Sequence, residues 1–326
     1  MAKDNMDELV LRGKGELEKV AGELGKRIVG QRGMIEGMLT GLVAGGHVLV
    51  EGVPGLAKTL AVRTLAEVLD AEYKRIQFTP DLLPADLIGT MVYRQQTGEF
   101  LPRKGPVFTN ILLADEINRA PAKVQSALLE AMEERQVTIG NETYRLPDPF
   151  FVFATQNPIE HEGTYPLPEA QVDRFFMKLK ISYPDAEDEL RIVHRMGKDL
   201  PIPVEKVLTA AKIKELKEIA SEIAMDRRIA EYIVALVTAT RETDGLTKPY
   251  AKYIEFGAST RASLCLYRAS KVRALFEGRS FVIPDDVKTT VFDVLRHRLI
   301  LSYQAQSEEL ESDDILKEVL KAVPVP

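Results

Sequence analysis

The stretch over residues 47–70, HVLVEGVPGLAKTLAVRTLAEVLD, restricts the fold more than any other part of the sequence. It begins with a short apolar run typical of a strand, passes through a glycine-containing loop and continues with apolar residues at helical spacing. Strand-like runs at 73–78, 111–115, 150–157 and 175–181 alternate with helical patterns. Strands that alternate with helices indicate a parallel sheet covered by helices on both faces. The sequence therefore predicts an α/β fold.

The glycine-containing loop has the context of a phosphate-binding loop, because it follows a strand and opens a helix. Backbone N–H groups at a helix N-terminus attract anions, so we expect this loop to hold the phosphates of ATP. Lys58 would reach the β- and γ-phosphates, and the Thr59 hydroxyl would hold Mg²⁺. The residues predicted to contact the nucleotide here are Gly52, Val53, Pro54, Gly55, Leu56, Ala57, Lys58, Thr59 and Leu60.

Ala57 departs from the general loop pattern, which has glycine immediately before the lysine. Glycine is usual there because it tolerates a positive φ. Alanine in such a geometry costs on the order of 1–3 kcal/mol, which a tightly held loop can absorb. The alternative is a simple glycine turn whose lysine is only solvated.

Polar residues end two further predicted strands. Asp115 and Glu116 follow an apolar run in ILLADE, where two adjacent carboxylates are costly without a positive partner. A Mg²⁺–triphosphate complex is such a partner: Asp115 would support the metal, directly or through water, and Glu116 would orient and deprotonate the attacking water. Asn157, which ends FFVFATQN, could position the same water, although Asn-Pro also starts ordinary turns. These residues favour a working ATPase site over a glycine turn.

The pattern of the chain changes near residue 186, after which it is helical, and two hairpin-like segments interrupt the α/β part. The second of these contains Gly140-Asn141, a strong turn signal. The expected segments are an N-terminal helical segment over 1–20, an α/β nucleotide-binding domain over 21–184 with inserts at about 88–105 and 135–147, a helical lid over 185–306 and an acidic tail over 307–326, of which residues 307–314 are expected to be solvated.

Composition narrows the class of protein. No run approaches the roughly 20 apolar residues that span a bilayer, and the polar N-terminus lacks the apolar core of a signal peptide. A single cysteine, Cys265, excludes an internal disulfide framework and is expected to be a small buried side chain. These features predict a cytoplasmic protein with no membrane span. The net charge of −6 argues against general nucleic-acid binding, which needs a basic face.

Motifs spread along the chain carry a family resemblance: GVPGLAKT, LLADEINRAP, FATQNP, YPLPEAQVDRF and GASTRAS. Over roughly residues 20–305 the chain resembles the MoxR family of AAA+ ATPases, whose members carry Ala or Gly at position 57. The resemblance implies a parallel sheet of strand order 5-1-4-3-2 and a helical lid. It also implies a chaperone-like remodelling ATPase that uses ATP and Mg²⁺. Such an enzyme works as a homo-oligomeric ring, a hexamer, on protein clients, with partners that carry von Willebrand factor A domains.

The resemblance assigns further residues. Arg174, in VDRF, resembles the arginine finger that a neighbouring subunit supplies in AAA+ rings; the alternative is a surface ion pair. Arg261, in GASTRAS, resembles sensor 2 and lies in the first turn of a predicted helix, where a cation opposes the helix dipole unless a phosphate is near. Arg119 is a further candidate for a contact between subunits. Ile28 and Val29 resemble the segment that lines the adenine pocket, with core packing as the alternative.

Other functions stay open at this point. A nucleic-acid translocase would need a basic hairpin, and the segment over 91–105 contains Arg94, Arg103 and Lys104 but also Glu99. A metal-chelatase ATPase subunit would share the inserts and the type of partner. A nucleotide-gated scaffold would bind ATP without turning it over.

Overall fold

A computed structural model describes residues 2–158, 164–197, 202–241 and 248–326. The helices are α1 (Ala2–Arg27), α2 (Arg32–Ala44), α3 (Lys58–Val68), α4 (Pro84–Ile88), α5 (Ala122–Glu134), α6 (Glu169–Val172), α7 (Ala186–Met196), α8 (Ala210–Glu222), α9 (Arg227–Ala239), α10 (Lys248–Ala251), α11 (Thr260–Phe276), α12 (Pro284–Leu295), α13 (Tyr303–Ser307) and α14 (Ser312–Ala322). The strands are β1 (Val48–Glu51), β2 (Tyr73–Gln77), β3 (Gly89–Arg94), β4 (Glu99–Lys104), β5 (Ile111–Asp115), β6 (Gln136–Ile139), β7 (Glu142–Arg145), β8 (Phe151–Gln156), β9 (Met177–Lys180), β10 (Ile254–Phe256) and β11 (Ile300–Leu301). Short 3₁₀ helices cover Ile117–Arg119 and Arg296–Arg298.

The central sheet has the order β2-β5-β8-β1-β9, and every pairing in it is parallel. Strand β5 is buried along its whole length, as its uninterrupted apolar run predicts for a strand covered on both faces. Counted along the chain, the strands of this sheet run 5-1-4-3-2. The predicted α/β fold and strand order are confirmed.

The register of the sheet brings the polar strand ends together. Gln77 pairs with Asp115 across β2 and β5, and Glu51 pairs with Gln156 across β1 and β8. Ligands of open α/β sheets bind outside the carboxyl ends of the strands. The phosphate loop, Glu116 and Asn157, which follow β1, β5 and β8, therefore meet at one edge.

Both predicted hairpins are present. Strands β3 and β4 pair antiparallel, as do β6 and β7, whose turn contains Gly140 with φ of 63°. The β3–β4 hairpin exposes apolar side chains, including Tyr93 at 52% and Phe100 at 63%, whose ring centroids are 5.2 Å apart. This hairpin thus presents an aromatic surface to solvent.

The two ends of the chain differ from expectation. Helix α1 runs unbroken through residue 20 and packs on both α3 and α11, so it joins the α/β part to the helical part. Residues 307–314, expected to be solvated, are exposed or half-buried. The rest of the acidic tail is not a separate segment: it forms most of α14, whose Ile315, Leu316 and Val319 make one buried apolar stripe.

Cys265 is buried at 8% exposure, as predicted. Across the ranges that the structure describes, no helix combines the length and apolar character needed to cross a bilayer.

Candidate active site

The loop between β1 and α3 forms one wall of a cavity of about 380 Å³. Asp115, Glu116 and Asn157 form the opposite side, and Asn157 is only 6% exposed. Of the predicted phosphate-loop residues, Pro54 to Leu60 all line the cavity. Gly52 and Val53 do not belong to the lining; Gly52 accepts a hydrogen bond on its carbonyl, and Val53 packs against the core. Three motifs that are distant in sequence thus share one cavity.

Ala57 adopts the left-handed backbone conformation, with φ of 56° and ψ of 18°. It is the N-cap of α3, and its carbonyl accepts the hydrogen bond from Ala61 N at 2.9 Å. The residue therefore takes the geometry for which glycine is usual, at a cost of about 1–2 kcal/mol. Its side chain packs against the core, so the loop holds the alanine in place.

Lys58 is a half-buried cation that faces this cavity. Its ammonium donates to the carbonyl of Gly52. Burial lowers the pKa of Lys58, and the nearby carboxylates of Asp115 and Glu116 oppose that shift. A phosphate bound against the ammonium would favour its charged form and raise the pKa again.

Asp115 is held by neighbours on both carboxylate oxygens. Its Oδ1 accepts from Thr155 Oγ1 at 2.6 Å, and its Oδ2 accepts from Arg75 Nη2 at 2.7 Å and Nε at 3.1 Å. The carboxylate is already engaged by a guanidinium and a hydroxyl. Because both oxygens are engaged, Asp115 is better suited to contact a metal through a water molecule than to bind it directly.

Glu116 projects from a turn in the left-handed conformation, with φ of 56° and ψ of 53°. Its Oε2 accepts from Gln77 Nε2 at 2.7 Å and lies 3.0 Å from Arg119 Nε, while its backbone N donates to Thr155 Oγ1 at 2.9 Å. These contacts fix a carboxylate at the cavity edge, a position from which it could accept a proton from a group bound in the cavity. Arg119, which was a candidate for a contact between subunits, pairs with Glu116 of its own chain.

Sequence reasoning missed Gln77, Thr155 and Arg75. Gln77 lies opposite Asp115 in the register, whereas Arg75 of β2 and Thr155 of β8 reach Asp115 through side-chain hydrogen bonds. Alternating polar residues at those strand ends were the available signal, but strand neighbours are needed to interpret it.

The residues of this cavity fit a Mg²⁺–nucleotide complex. Thr59 and Asp115 supply a hydroxyl and a carboxylate to one cavity, and Lys58 supplies a cation. Within the described ranges, no group of three or more His, Cys, Asp or Glu side chains could hold a metal by itself. Mg²⁺ commonly binds through one or two protein oxygens together with substrate phosphates and water. The donor set therefore suits a metal that arrives with ATP.

A smaller cavity of about 140 Å³ adjoins the phosphate loop and shares Gly55 to Ala57 and Leu60 with the first one. Val29 lines it together with Ile192 and Met196 of α7. Its apolar walls and its place beside the loop suit an adenine base. Ile28 does not line it: the side chain is 4% exposed and lines another cavity between α1, α2 and α11. The core-packing alternative thus describes Ile28 better.

Arg174 and Arg261 line a different cavity, of about 280 Å³. It shares no residue with the cavity of about 380 Å³ beside the glycine-containing loop, which we call the phosphate cavity. Both pair with Glu133: Arg174 Nε lies 3.3 Å from Oε2, and Arg261 Nη2 donates to Oε1 at 2.9 Å. The side chains are partly exposed, at 36% and 42%. Arg261, predicted to lie near a phosphate, therefore does not line the phosphate cavity of its own chain.

Asp173 organises the segment around these arginines. Its Oδ2 accepts from Ser259 Oγ at 3.0 Å and from Arg261 Nη1 at 3.4 Å. Its Oδ1 accepts from Arg298 Nε at 2.7 Å. Arg298 is 1% exposed at its side chain and was not predicted, since its sequence neighbours carry no motif. The helical lid and the α/β part thus contact each other at Asp173, next to Arg174.

Comparisons with known proteins agree with this architecture. The family described as ATPase family associated with various cellular activities matches residues 47–177, and the AAA lid domain matches residues 250–319. The chain is similar to Chaperone MoxR1 of Mycobacterium tuberculosis, with 51% identity over 95% of this chain and 82% of that protein. It is also similar to Protein MoxR of Methylorubrum extorquens, with 32% identity over 93% of each chain.

A solved structure is similar over the full length. The crystal structure of a candidate ATPase from Cytophaga hutchinsonii, at 2.00 Å resolution, has a TM-score of 0.93 and 48% identity, covering 100% of this chain and 99% of that one. The lid match extends into α14, in agreement with the packing of that helix on the lid.

Proposed function

We propose, since the chain belongs to the MoxR family of AAA+ ATPases, that it is a ring-forming, chaperone-like enzyme that hydrolyses ATP to remodel partner proteins. The observation that carries this proposal is the shared cavity of the phosphate loop, Asp115, Glu116 and Asn157. A phosphate cradle, a placed carboxylate and a buried amide are the groups that hydrolysis of a phosphoanhydride needs.

In the proposed mechanism, Lys58 and the loop N–H groups hold the phosphates. When bound, Mg²⁺ would neutralise charge on the β- and γ-phosphate oxygens, held by Thr59 and, through water, by Asp115. Glu116, which Gln77 and Arg119 orient, accepts a proton from the attacking water. Asn157 positions that water from the end of β8.

The second half of the site is proposed to come from a neighbouring subunit. Arg174 and Arg261 lie together, partly exposed, on a cavity separate from their own phosphate loop. In a ring, a neighbour's triphosphate would replace Glu133 as their partner. An arginine that stabilises a transferring phosphoryl group contributes about 10³–10⁵ in rate. We propose a homo-hexamer on the pattern of AAA+ rings.

The proposed client is a protein, and partners with von Willebrand factor A domains fit the family. The β3–β4 hairpin supports a protein client over a nucleic acid, because its exposed side chains include Met91, Val92, Tyr93 and Phe100. Contiguous exposed apolar side chains mark surfaces for protein contacts. Hydrolysis would move this hairpin against the client.

Mixed rings test the proposal. Glu116→Gln should bind ATP and lose turnover by at least about 10²-fold, since a general base contributes 10²–10⁴. Arg174→Ala should bind ATP and hydrolyse it poorly. Mixing the two proteins should restore part of the phosphate release, because some interfaces then combine an intact Glu116 with an intact Arg174.

Several results would contradict it. No recovery at any mixing ratio would argue against an arginine supplied by a neighbour. ATP binding without turnover in assembled wild-type rings would favour a nucleotide-gated scaffold. Turnover that appears only with a porphyrin-binding partner would favour a chelatase subunit. DNA-stimulated hydrolysis with a steep salt dependence would favour a translocase.

A further inference from the structure

A cavity of about 310 Å³ lies where the C-terminal ends of α2 and α8 meet α11. The charged side chains that line it are Arg135, Lys217, Arg268 and Lys271, and no carboxylate belongs to its lining as described. This is a concentration of positive charge in a chain whose net charge is −6. It shares no residue with the phosphate cavity and adjoins the cavity of Arg174 and Arg261 through Gly45, Arg135 and Arg268.

The fold itself explains two of these cations. Arg135 Nη2 donates to Gly45 O at 2.7 Å, just past the end of α2. Lys271 Nζ donates to Ser221 O at 2.6 Å, in the last turn of α8. Cations are favourable at helix C-termini, where carbonyl groups lack intrahelical partners. These two side chains need no ligand to account for their positions.

No helix end explains the other two cations, of which Arg268 is exposed to solvent and Lys217 is half-buried. Lys217 and Arg268 make no hydrogen bond or ion pair with any described residue, whereas Arg135 and Lys271 are each satisfied by a carbonyl. Lys217 is half-buried and lies close to Arg135, since both side chains end beside Gly45. A methyl group on the Gly45 Cα would lie 3.5 Å from Lys217 Nζ and 3.7 Å from Arg135 Nη2. Burial, followed by the charge of Arg135, lowers the pKa of Lys217, and the carboxylate of Asp148 opposes this shift. Asp148 Oδ1 lies 3.9 Å from Arg135 Nη1 and balances part of the positive charge from outside the cavity lining. Two like charges in a recess are unfavourable, and a bound anion would relieve them.

We propose that this cavity is a binding site for a small phosphate-bearing anion, separate from the phosphate loop. The guanidinium groups of Arg135 and Arg268 match phosphate oxygens in a forked geometry, and the Lys217 ammonium adds a compact charge. A volume of about 310 Å³ admits a small ligand. Neither ring assembly nor ATP hydrolysis is needed for this site, so its failure and the failure of the ATPase proposal are distinguishable.

Calorimetric titration of inorganic pyrophosphate tests the proposal. The full chain would carry Lys58→Ala, which weakens anion binding at the phosphate loop. We expect pyrophosphate to bind this protein, and an added Lys217→Met to raise the Kd at least tenfold. Lys217→Arg, which keeps the charge, should retain binding. Lys214→Met removes an exposed lysine of the same helix and should leave the Kd within twofold. Thermal melting of each variant separates lost binding from lost folding.

The proposal is overturned by any of three results: no pyrophosphate binding to the Lys58→Ala protein, an unchanged Kd in the Lys217→Met variant, or loss of binding with Arg261→Ala but not with Lys217→Met. The last result would move the anion to the neighbouring arginine cavity. ADP titrated in parallel distinguishes the source of the phosphate. Lys217-dependent binding of pyrophosphate alone supports a free anion, and Lys217-dependent binding of both supports the phosphates of a nucleotide.

Discussion

Arg298 and Asp173 form a buried link between the lid and the parallel sheet. Arg298 Nε donates to Asp173 Oδ1 at 2.7 Å, and Arg298 Nη2 donates to Phe175 O at 2.6 Å. The other oxygen of Asp173 accepts from Arg261. One buried guanidinium thereby fixes the backbone around Arg174 and, through Asp173, the position of Arg261. We therefore expect Arg174 and Arg261 to move together with the lid.

Replacing Arg298 with Met should destabilise the protein by about 3–5 kcal/mol, because it breaks a pair with Asp173 and removes the donor to the Phe176 carbonyl at a site where the guanidinium is only 1% exposed. Urea unfolding followed by circular dichroism measures this change. Arg228→Met, which removes an exposed ion pair with Asp226, should change stability by less than about 1 kcal/mol. Equal effects of the two substitutions would show that the Arg298 network adds little.

Asp173→Asn should impair both folding and hydrolysis, because it leaves the buried Arg298 without its carboxylate partner and removes the charge that holds Arg261. We expect kcat to fall about tenfold with ATP affinity unchanged, since a mispositioned transition-state contact affects kcat rather than ground-state binding. Steady-state ATPase kinetics and nucleotide titration separate the two quantities. A rise in KM with normal kcat would contradict a role in positioning.

Gln77→Leu should retain ATP binding and lower kcat by about 10–100-fold. Gln77 Nε2 donates to Glu116 Oε2 at 2.7 Å, and loss of this contact releases the proposed base from its position. Gln95→Leu, in the exposed turn of the β3–β4 hairpin, is a suitable control and should be neutral. Unchanged kcat in Gln77→Leu would mean that Arg119 alone orients Glu116.

Ala57→Gly should keep ATP binding within about threefold. The left-handed φ of 56° costs alanine about 1–2 kcal/mol, which glycine avoids, while glycine loses more backbone entropy on folding. Ala57→Val should weaken binding strongly, because β-branched residues rarely adopt positive φ. Calorimetric titration with ATP measures both variants. Loss of binding in Ala57→Gly would show that the alanine methyl shapes the cradle.

Acidification should destabilise the fold through His47. Its Nδ1 accepts from Val152 N at 3.0 Å, and burial lowers its pKa to about 3. Because the unfolded histidine has a pKa of about 6.5, the unfolded state takes up the proton first as the pH falls. This group therefore costs up to about 1.4 kcal/mol of stability per pH unit between about 6.5 and 3.

Urea unfolding at pH 7, 6 and 5 measures that cost, and His47→Gln should show a shallower decline than wild type. Parallel declines in the two proteins would assign the acid sensitivity to other groups.

Local pattern was enough to predict much of the molecule. The apolar runs and helical spacing gave the α/β class, and the polar residues at strand ends pointed to Asp115, Glu116 and Asn157. This worked because the carboxyl ends of parallel strands meet at one edge regardless of the loops between them. The glycine loop likewise depends only on the strand before it and the helix after it.

The sequence by itself therefore determined the fold class, the strand order through its family motifs, and the residues at the strand ends that line one cavity with the glycine-containing loop. Only the tertiary structure decided that Gln77 and Thr155 hold Glu116, that Ile28 belongs to the core, and that α14 packs on the lid. It also decided that Arg174 and Arg261 meet at Glu133, away from their own phosphate loop. These features depend on how the lid packs against the sheet, and contacts between residues far apart in sequence leave no local periodicity from which to predict them.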